Sequence, residues 1–149
     1  MAKENNYLKG VTRKDIENGI IYERDEASVL VQNDVPGGEI PVVGDKQIAH
    51  TLDVSASLRK QVQIISGERG PSHPMYRAGS PHAVNGAIDV KISGLNSEQV
   101  ANTLYSSGHF SRVASYTDGR ISAHADYRPS DHGRYQGRKP NQKWIKVHK

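Results

Sequence analysis

Hydrophobic positions fall into short runs separated by polar turns. Thr12 with Asp15 three residues later has the spacing of a capping box. Val11 and Ile16 sit where a hydrophobic staple would, and Gly19 would stop the turn, so the segment predicts a short helix over 13–18. Ile20-Ile21-Tyr22, Ser28 to Val31 and Ile40 to Val43 are β-type runs broken by Pro36-Gly37-Gly38, and they read as strands or an extended arm. Asp53 is a candidate cap for a helix whose Val54, Leu58 and Val62 recur every four residues, and Gln63-Ile64-Ile65 then reads as a core strand entering a Ser66-Gly67 turn. Residues 66–87 are rich in Gly, Pro, Ser and His and have no period, as functional loops often do. Ala87 to Ile92 follows as a strand. Asn96 or Ser97 caps a second helix carrying Val100 and Leu104, and Gly108 ends it. Val113 to Thr117 and Arg120 to Tyr127 flank Asp118-Gly119, which has the composition of a two-residue hairpin turn. The order of elements predicts an α+β domain with an antiparallel sheet and flanking helices.

Composition narrows the chemistry. The 149 residues suit a single modest core, and Leu, Ile, Val and Phe make up only about a fifth of them. With no cysteine, a disulfide framework, a thiolate zinc site and a cysteine nucleophile are all excluded, so a bound metal would need His and carboxylate ligands. No apolar run is long enough for a membrane span, and residues 1–9 contain no apolar signal-peptide core, so a chain made in the cytoplasm is expected. The net charge of +4 is uneven, about −2 over 1–110 and +6 over 111–149, and the C-terminal quarter should favour polyanions. Its cations alternate with aromatics from Arg134-Tyr135 to Lys143-Trp144, which is compatible with nucleic-acid binding. A solvated basic surface is the commoner case, and no specific nucleic-acid partner is expected.

Of the seven histidines, His82 and His124 stand out together with Asp89, seven residues after the first. They come from a loop and two different strands, and three His and carboxylate ligands with a fourth position open to water make a catalytic zinc site. On a strand, alternate residues share a face, so Ser122, His124 and Asp126 would all look into that pocket. A chain with this many histidines puts some at arbitrary spacings, so spacing alone does not select these three. His50, His109 and His148 have no motif around them, and His73 sits in the loop between Arg69 and His82.

Three motifs in order extend the argument: Ser66-Gly67-Glu68-Arg69, then Ser80-Pro81-His82 with Asp89, then His124-Ala125-Asp126. Together they resemble the signature of the zinc D-alanyl-D-alanine carboxypeptidases, whose relatives include D,D-dipeptidases and phage L-alanyl-D-glutamate endolysins, with a fold shared by the Hedgehog signalling domain. The resemblance covers about 66–128, and Trp144 matches a tryptophan that some members carry farther on. It implies a zinc peptidase-like domain over 51–149, with residues 1–50 as an N-terminal arm or subdomain. The zinc ligands would be His82, Asp89 and His124. Arg69 would receive a substrate carboxylate or carbonyl through its planar fork. Ser66, Ser80 and His73 would line the substrate site.

Two departures accompany the resemblance. Where the family has a Gly three residues after the first His, this chain has Asn85 followed by Gly86. The family's usual base positions, three and two residues before the last His, are Ile121 and Ser122, which do not titrate near neutrality. Asp126 is the best substitute as general base, and a structural pairing of Asp126 with a cation is the alternative. Asp131 and His132 are further candidates in a following loop.

The implied activity is hydrolysis of peptidoglycan stem peptides, by a carboxypeptidase or endopeptidase of phage type. It would act on the wall after release from the host cytoplasm or as part of a virion. The alternative is a catalytically inactive zinc-binding virion protein, with residues 1–50 docking to other virion proteins.

Overall fold

The computed structural model describes residues 6–67, 86–127, 133–137 and 145–148. Its first strands arise from the β-branched run at Ile20-Ile21. Strand β1 (Thr12–Ile16) pairs antiparallel with β2 (Gly19–Arg24), which pairs antiparallel with β3 (Ala27–Gln32). Both connections are two-residue turns whose Asn18 (φ 62°) and Asp25 (φ 54°) take the left-handed backbone that such turns require. The helix expected over 13–18 is therefore a strand. Six residues cannot nucleate a helix without tertiary support, whereas pairing with β2 satisfies the backbone of Thr12–Ile16 directly. Ile40 to Val43 contains no strand, only an isolated bridge at Val42.

Helix α1 (Asp45–Leu58) starts after Gly44, eight residues before the expected cap at Asp53, and ends at Arg59 in left-handed conformation (φ 55°). Its buried residues are Gln47, Ile48, Ala49, Thr51, Leu52, Val54 and Ser55, three of the seven polar, so the sequence pattern hides the stripe. The hydroxyls are satisfied within the core: Thr51 donates to the Gln47 carbonyl at 2.7 Å, and Ser55 donates to the Lys60 carbonyl at 2.6 Å while accepting from the Ser28 N–H. Val62 belongs to the next strand, β4 (Val62–Ser66), which lies parallel to β3. Residue 50, where the two regions were divided, falls inside α1.

Strand β5 (Ile88–Ile92) runs antiparallel to β4. Helix α2 (Ser97–Ser106) has the expected Asn96 cap, reciprocated by Gln99, and Gly108 follows it at φ 76°. Strands β6 (Arg112–Tyr116) and β7 (Ala123–Asp126) pair antiparallel as expected. Their connection is six residues long, however, with Asp118 and Gly119 inside it, and Arg120 to Ser122 do not extend the strand. Arg120 instead pairs with Asp118 at 2.6 Å and lies 3.8 Å over the Tyr116 ring, while the Ser122 carbonyl accepts from Ser97 of α2.

Strands β8 (Gly133–Gly137) and β9 (Ile145–His148) come from the basic tail and complete a nine-stranded sheet in the order β1-β2-β3-β4-β5-β7-β6-β8-β9. All its pairings are antiparallel except β3 with β4 and β6 with β8. The α+β class stands, but the sheet is larger than expected because residues 12–32 belong to it. Val29, Val31, Val62, Ile64, Ile88, Val90 and Ile92 cluster with Ile48 and Leu52 of α1 and Val100 and Leu104 of α2. Both helices thus cover one face of the sheet. Among the described residues, no helix is long and apolar enough to cross a membrane.

Candidate metal centre

Period-two alternation builds the site on the face opposite the helices. On β5, Ile88, Val90 and Ile92 join the helix-side core and Asp89 points the other way. On β7, Ala123 and Ala125 join the core and His124 and Asp126 point away. Register places Asp89 directly opposite His124, and on the other side His124 faces Ala114 and Asp126 faces Arg112 of β6. Two residues 35 positions apart in the sequence are thereby cross-strand neighbours.

Burial is nearly complete, with 9% of Asp89, 1% of His124 and none of Asp126 exposed. His124 Nε2 lies 2.6 Å from Asp126 Oδ2, which also accepts from Arg112 Nε at 2.9 Å. A second Arg112 nitrogen reaches the same oxygen at 2.8 Å, so the guanidinium and the imidazole converge on one carboxylate. On the opposite edge of the ring, Nδ1 lies 3.6 Å from Asp89 Oδ1, and that oxygen accepts the Tyr116 hydroxyl at 3.0 Å. Burial opposes a charge on His124, but the two flanking carboxylates outweigh it and raise the proton affinity of the ring above that of an ordinary histidine. Among the described residues, the ring thus lies between two carboxylates, one of them held by the Arg112 guanidinium.

The geometry fits a zinc ion on the Nδ1 side. Zinc–nitrogen and zinc–oxygen bonds of about 2.0–2.2 Å at a tetrahedral angle separate two ligand atoms by about 3.4 Å, close to the observed spacing of Nδ1 and Asp89 Oδ1. Asp126 contacts the far nitrogen, where ligating histidines commonly carry a carboxylate that sets tautomer and ring angle. Among the described residues no group of three or more metal-ligating side chains forms, and the third ligand expected from the sequence, His82, lies outside them.

Arg69, His73, Ser80, Asp131, His132 and Trp144 also lie outside the described residues. Ser66 is brought to the site: a register shift in β4 between Ile64 and Ser66 sets it across from Asp89. Ile121 is 51% exposed in the β6–β7 connection, whereas Ser122 is buried. Gly86 takes the left-handed conformation at φ 62°, and a Cβ there would collide with the Gln47 amide, whose Nε2 donates to the Gly86 carbonyl at 2.9 Å. Gln47 thus ties α1 to the backbone leading into Asp89.

Arg112, Tyr116 and Gln47 escaped the sequence reading. Arg112 and Tyr116 share a face with Ala114 by simple alternation, so the register of β6 against β7 would have revealed them. Gln47 carries no signal in the sequence. No family model, curated protein or solved structure matches the chain.

Proposed function

We propose that this chain is a zinc-dependent peptidase of peptidoglycan stem peptides, with a Hedgehog/D,D-peptidase-like fold over its C-terminal two-thirds. The observation that carries the reading is the buried pairing of Asp89 with His124, the imidazole held at Nε2 by Asp126 and its Nδ1 edge turned toward Asp89. His124 through Nδ1, Asp89 and His82 would hold the metal. Zinc, when bound, acidifies a water molecule and polarises a carbonyl. Asp126 orients the imidazole, Arg112 holds the Asp126 carboxylate through two of its nitrogens, and Tyr116 positions the Asp89 carboxylate through its hydroxyl. Arg69 receives a carboxylate of the peptide. The activity belongs to a phage-type endolysin or virion-associated hydrolase, made in the host cytoplasm, and within residues 1–50 the exposed strand β1 would meet virion proteins, since β2 and β3 are built into the core.

The test is mass spectrometry of stem peptides incubated with zinc-loaded protein and with a chelator-treated control. Chelator-sensitive cleavage at one defined bond supports the proposal, and activity that survives His124→Ala refutes it. A second reading, an inactive zinc-binding virion protein, is favoured by the engagement of Asp126 with Arg112 and His124, together with the non-titrating Ile121 and Ser122. Protein that holds one zinc per chain yet cleaves no stem peptide would establish that reading instead.

A further inference from the structure

The connection between β6 and β7 is longer than a hairpin needs. Asp118-Gly119 alone has the composition of a two-residue turn, yet the ladder stops at Ser115 opposite Ala123, so Tyr116 and residues 117–122 leave it. Tyr116 stays paired with Gly137 of β8, and its backbone N–H donates to the Ser97 hydroxyl of α2 at 2.7 Å. With its backbone fixed from these two elements, its buried ring lies on the face that carries the candidate metal centre, and its hydroxyl reaches Asp89 Oδ1 at 3.0 Å.

What the longer connection adds is Arg120. Its Nε donates to Asp118 at 3.0 Å and its Nη2 at 2.6 Å, and its backbone N–H reaches the same carboxylate at 3.2 Å, so the plane of the guanidinium is fixed. That plane is set over the Tyr116 ring, with the guanidinium carbon 3.8 Å from the ring centre. A cation on the face of a phenol is attracted to the ring, restrains its tilt and polarises the hydroxyl into a stronger donor. The hydroxyl in turn holds the Asp89 oxygen that faces His124 Nδ1 at 3.6 Å. The terminal torsion of an aspartate is broad when nothing holds it, and here one hydrogen bond from a clamped ring sets it. An ion pair as exposed as Asp118 with Arg120 adds little to stability, so its effect lies in the orientation it imposes.

We propose that Arg120, clamped by Asp118, is a positioning residue for Asp89, acting through Tyr116 to hold the carboxylate in the orientation from which it would take a metal cation. The cation rests on the zinc reading of the centre, whereas the positioning of Asp89 does not, and the experiment reads the two separately. The full chain is compared with Arg120→Met, Arg120→Lys, Tyr116→Phe and the double variant Arg120→Met/Tyr116→Phe. The side-chain carboxyl carbon resonance of Asp89 is recorded by NMR in the metal-free protein at constant pH, and zinc affinity is measured by competition with a chromophoric chelator.

Tyr116→Phe is expected to move the Asp89 resonance and to weaken zinc binding about tenfold, as loss of a partner behind a metal ligand does. Arg120→Met should move the resonance in the same direction and weaken zinc binding about threefold, the effect of a partly exposed cation–π contact. Arg120→Lys keeps a cation over the ring and should recover most of the loss. Arg120 is also close enough to act on Asp89 through space, and the double variant separates that route: it should fall close to Tyr116→Phe in both readouts. An Asp89 resonance unmoved by Arg120→Met, or moved as far in the Tyr116→Phe background as in the wild type, overturns the proposal. So does wild-type zinc affinity in both single variants of a chain that binds zinc. Linked shifts of Asp89 in a chain that takes up no zinc uphold the positioning and refute the zinc site.

Discussion

Replacing Asp126 by Asn preserves the shape of the side chain and removes its charge. In the native protein this carboxylate has no exposed surface, and its Oδ2 faces two Arg112 nitrogens at 2.8 and 2.9 Å and His124 Nε2 at 2.6 Å. The substitution takes the opposing charge from a guanidinium that is itself almost fully buried. Breaking one side of a buried ion pair costs about 3–5 kcal/mol, most of it the desolvation of the abandoned charge. For a domain of this size that corresponds to a fall in melting temperature of roughly 10 °C. On the proposed zinc ligation by His124, loss of the carboxylate behind the ring should also weaken zinc binding about 10- to 100-fold. Urea unfolding of the metal-free protein and competitive zinc titration measure the two effects separately. The double variant Arg112→Met/Asp126→Leu should recover most of the stability, because both charges leave together, but none of the zinc affinity. An Asp126→Asn protein within about 0.5 kcal/mol of wild type, or a double variant less stable than the single one, would refute the buried-pair account.

Three further outcomes follow from named contacts. The His50 ring stacks on His109 at 4.1 Å, and burial, His109 and Lys46 lower its pKa to about 4, below its unfolded value. Its contribution is therefore fully present above about pH 6.5 and is lost as pH falls toward 4; allowing for solvent screening of a partly exposed ring, its share of the change in unfolding free energy between pH 7 and pH 4, measured by urea titration, should be about 1–2 kcal/mol, and His50→Phe should reduce the change by that amount. Gly86→Ala forces a left-handed alanine against Gln47 and should cost about 2–3 kcal/mol in thermal unfolding, with part of it recovered by adding Gln47→Ala. Asn96→Ala removes the side-chain acceptor of the Gln99 N–H, one half of the α2 capping box, while the Gln99 side chain still accepts from the backbone N–H of residue 96; it should cost about 1 kcal/mol by urea unfolding.

Local chemistry was legible wherever it decides local structure. The Asn96 cap, Gly108 after α2, the β-branched runs at Ile20-Ile21 and Val29 to Val31, and the alternation through His124 and Asp126 all act within a few residues, and all appear in the structure. The misread segments are those where tertiary contacts override a local signal. Thr12 to Ile16 has a cap-like start but pairs with β2, and α1 begins well before Asp53 because Thr51 and Ser55 hide its buried stripe behind polar side chains. Asp53 instead meets Arg24 and His109 from other elements.

For the candidate site, the three ordered motifs and the family they resemble singled out Asp89, His124 and Asp126, which spacing alone did not, and the absence of cysteine excluded thiolate ligands. The sequence alone does not determine which nitrogen of His124 faces Asp89 and which Asp126, that Arg112 and Tyr116 support the carboxylates, or that Ser66 faces Asp89. Those facts depend on which strands pair, and a register one residue different would turn each of these side chains to the opposite face. The register is held by the hydrophobic residues on the helix side, so the arrangement on the polar face follows from core packing many residues away.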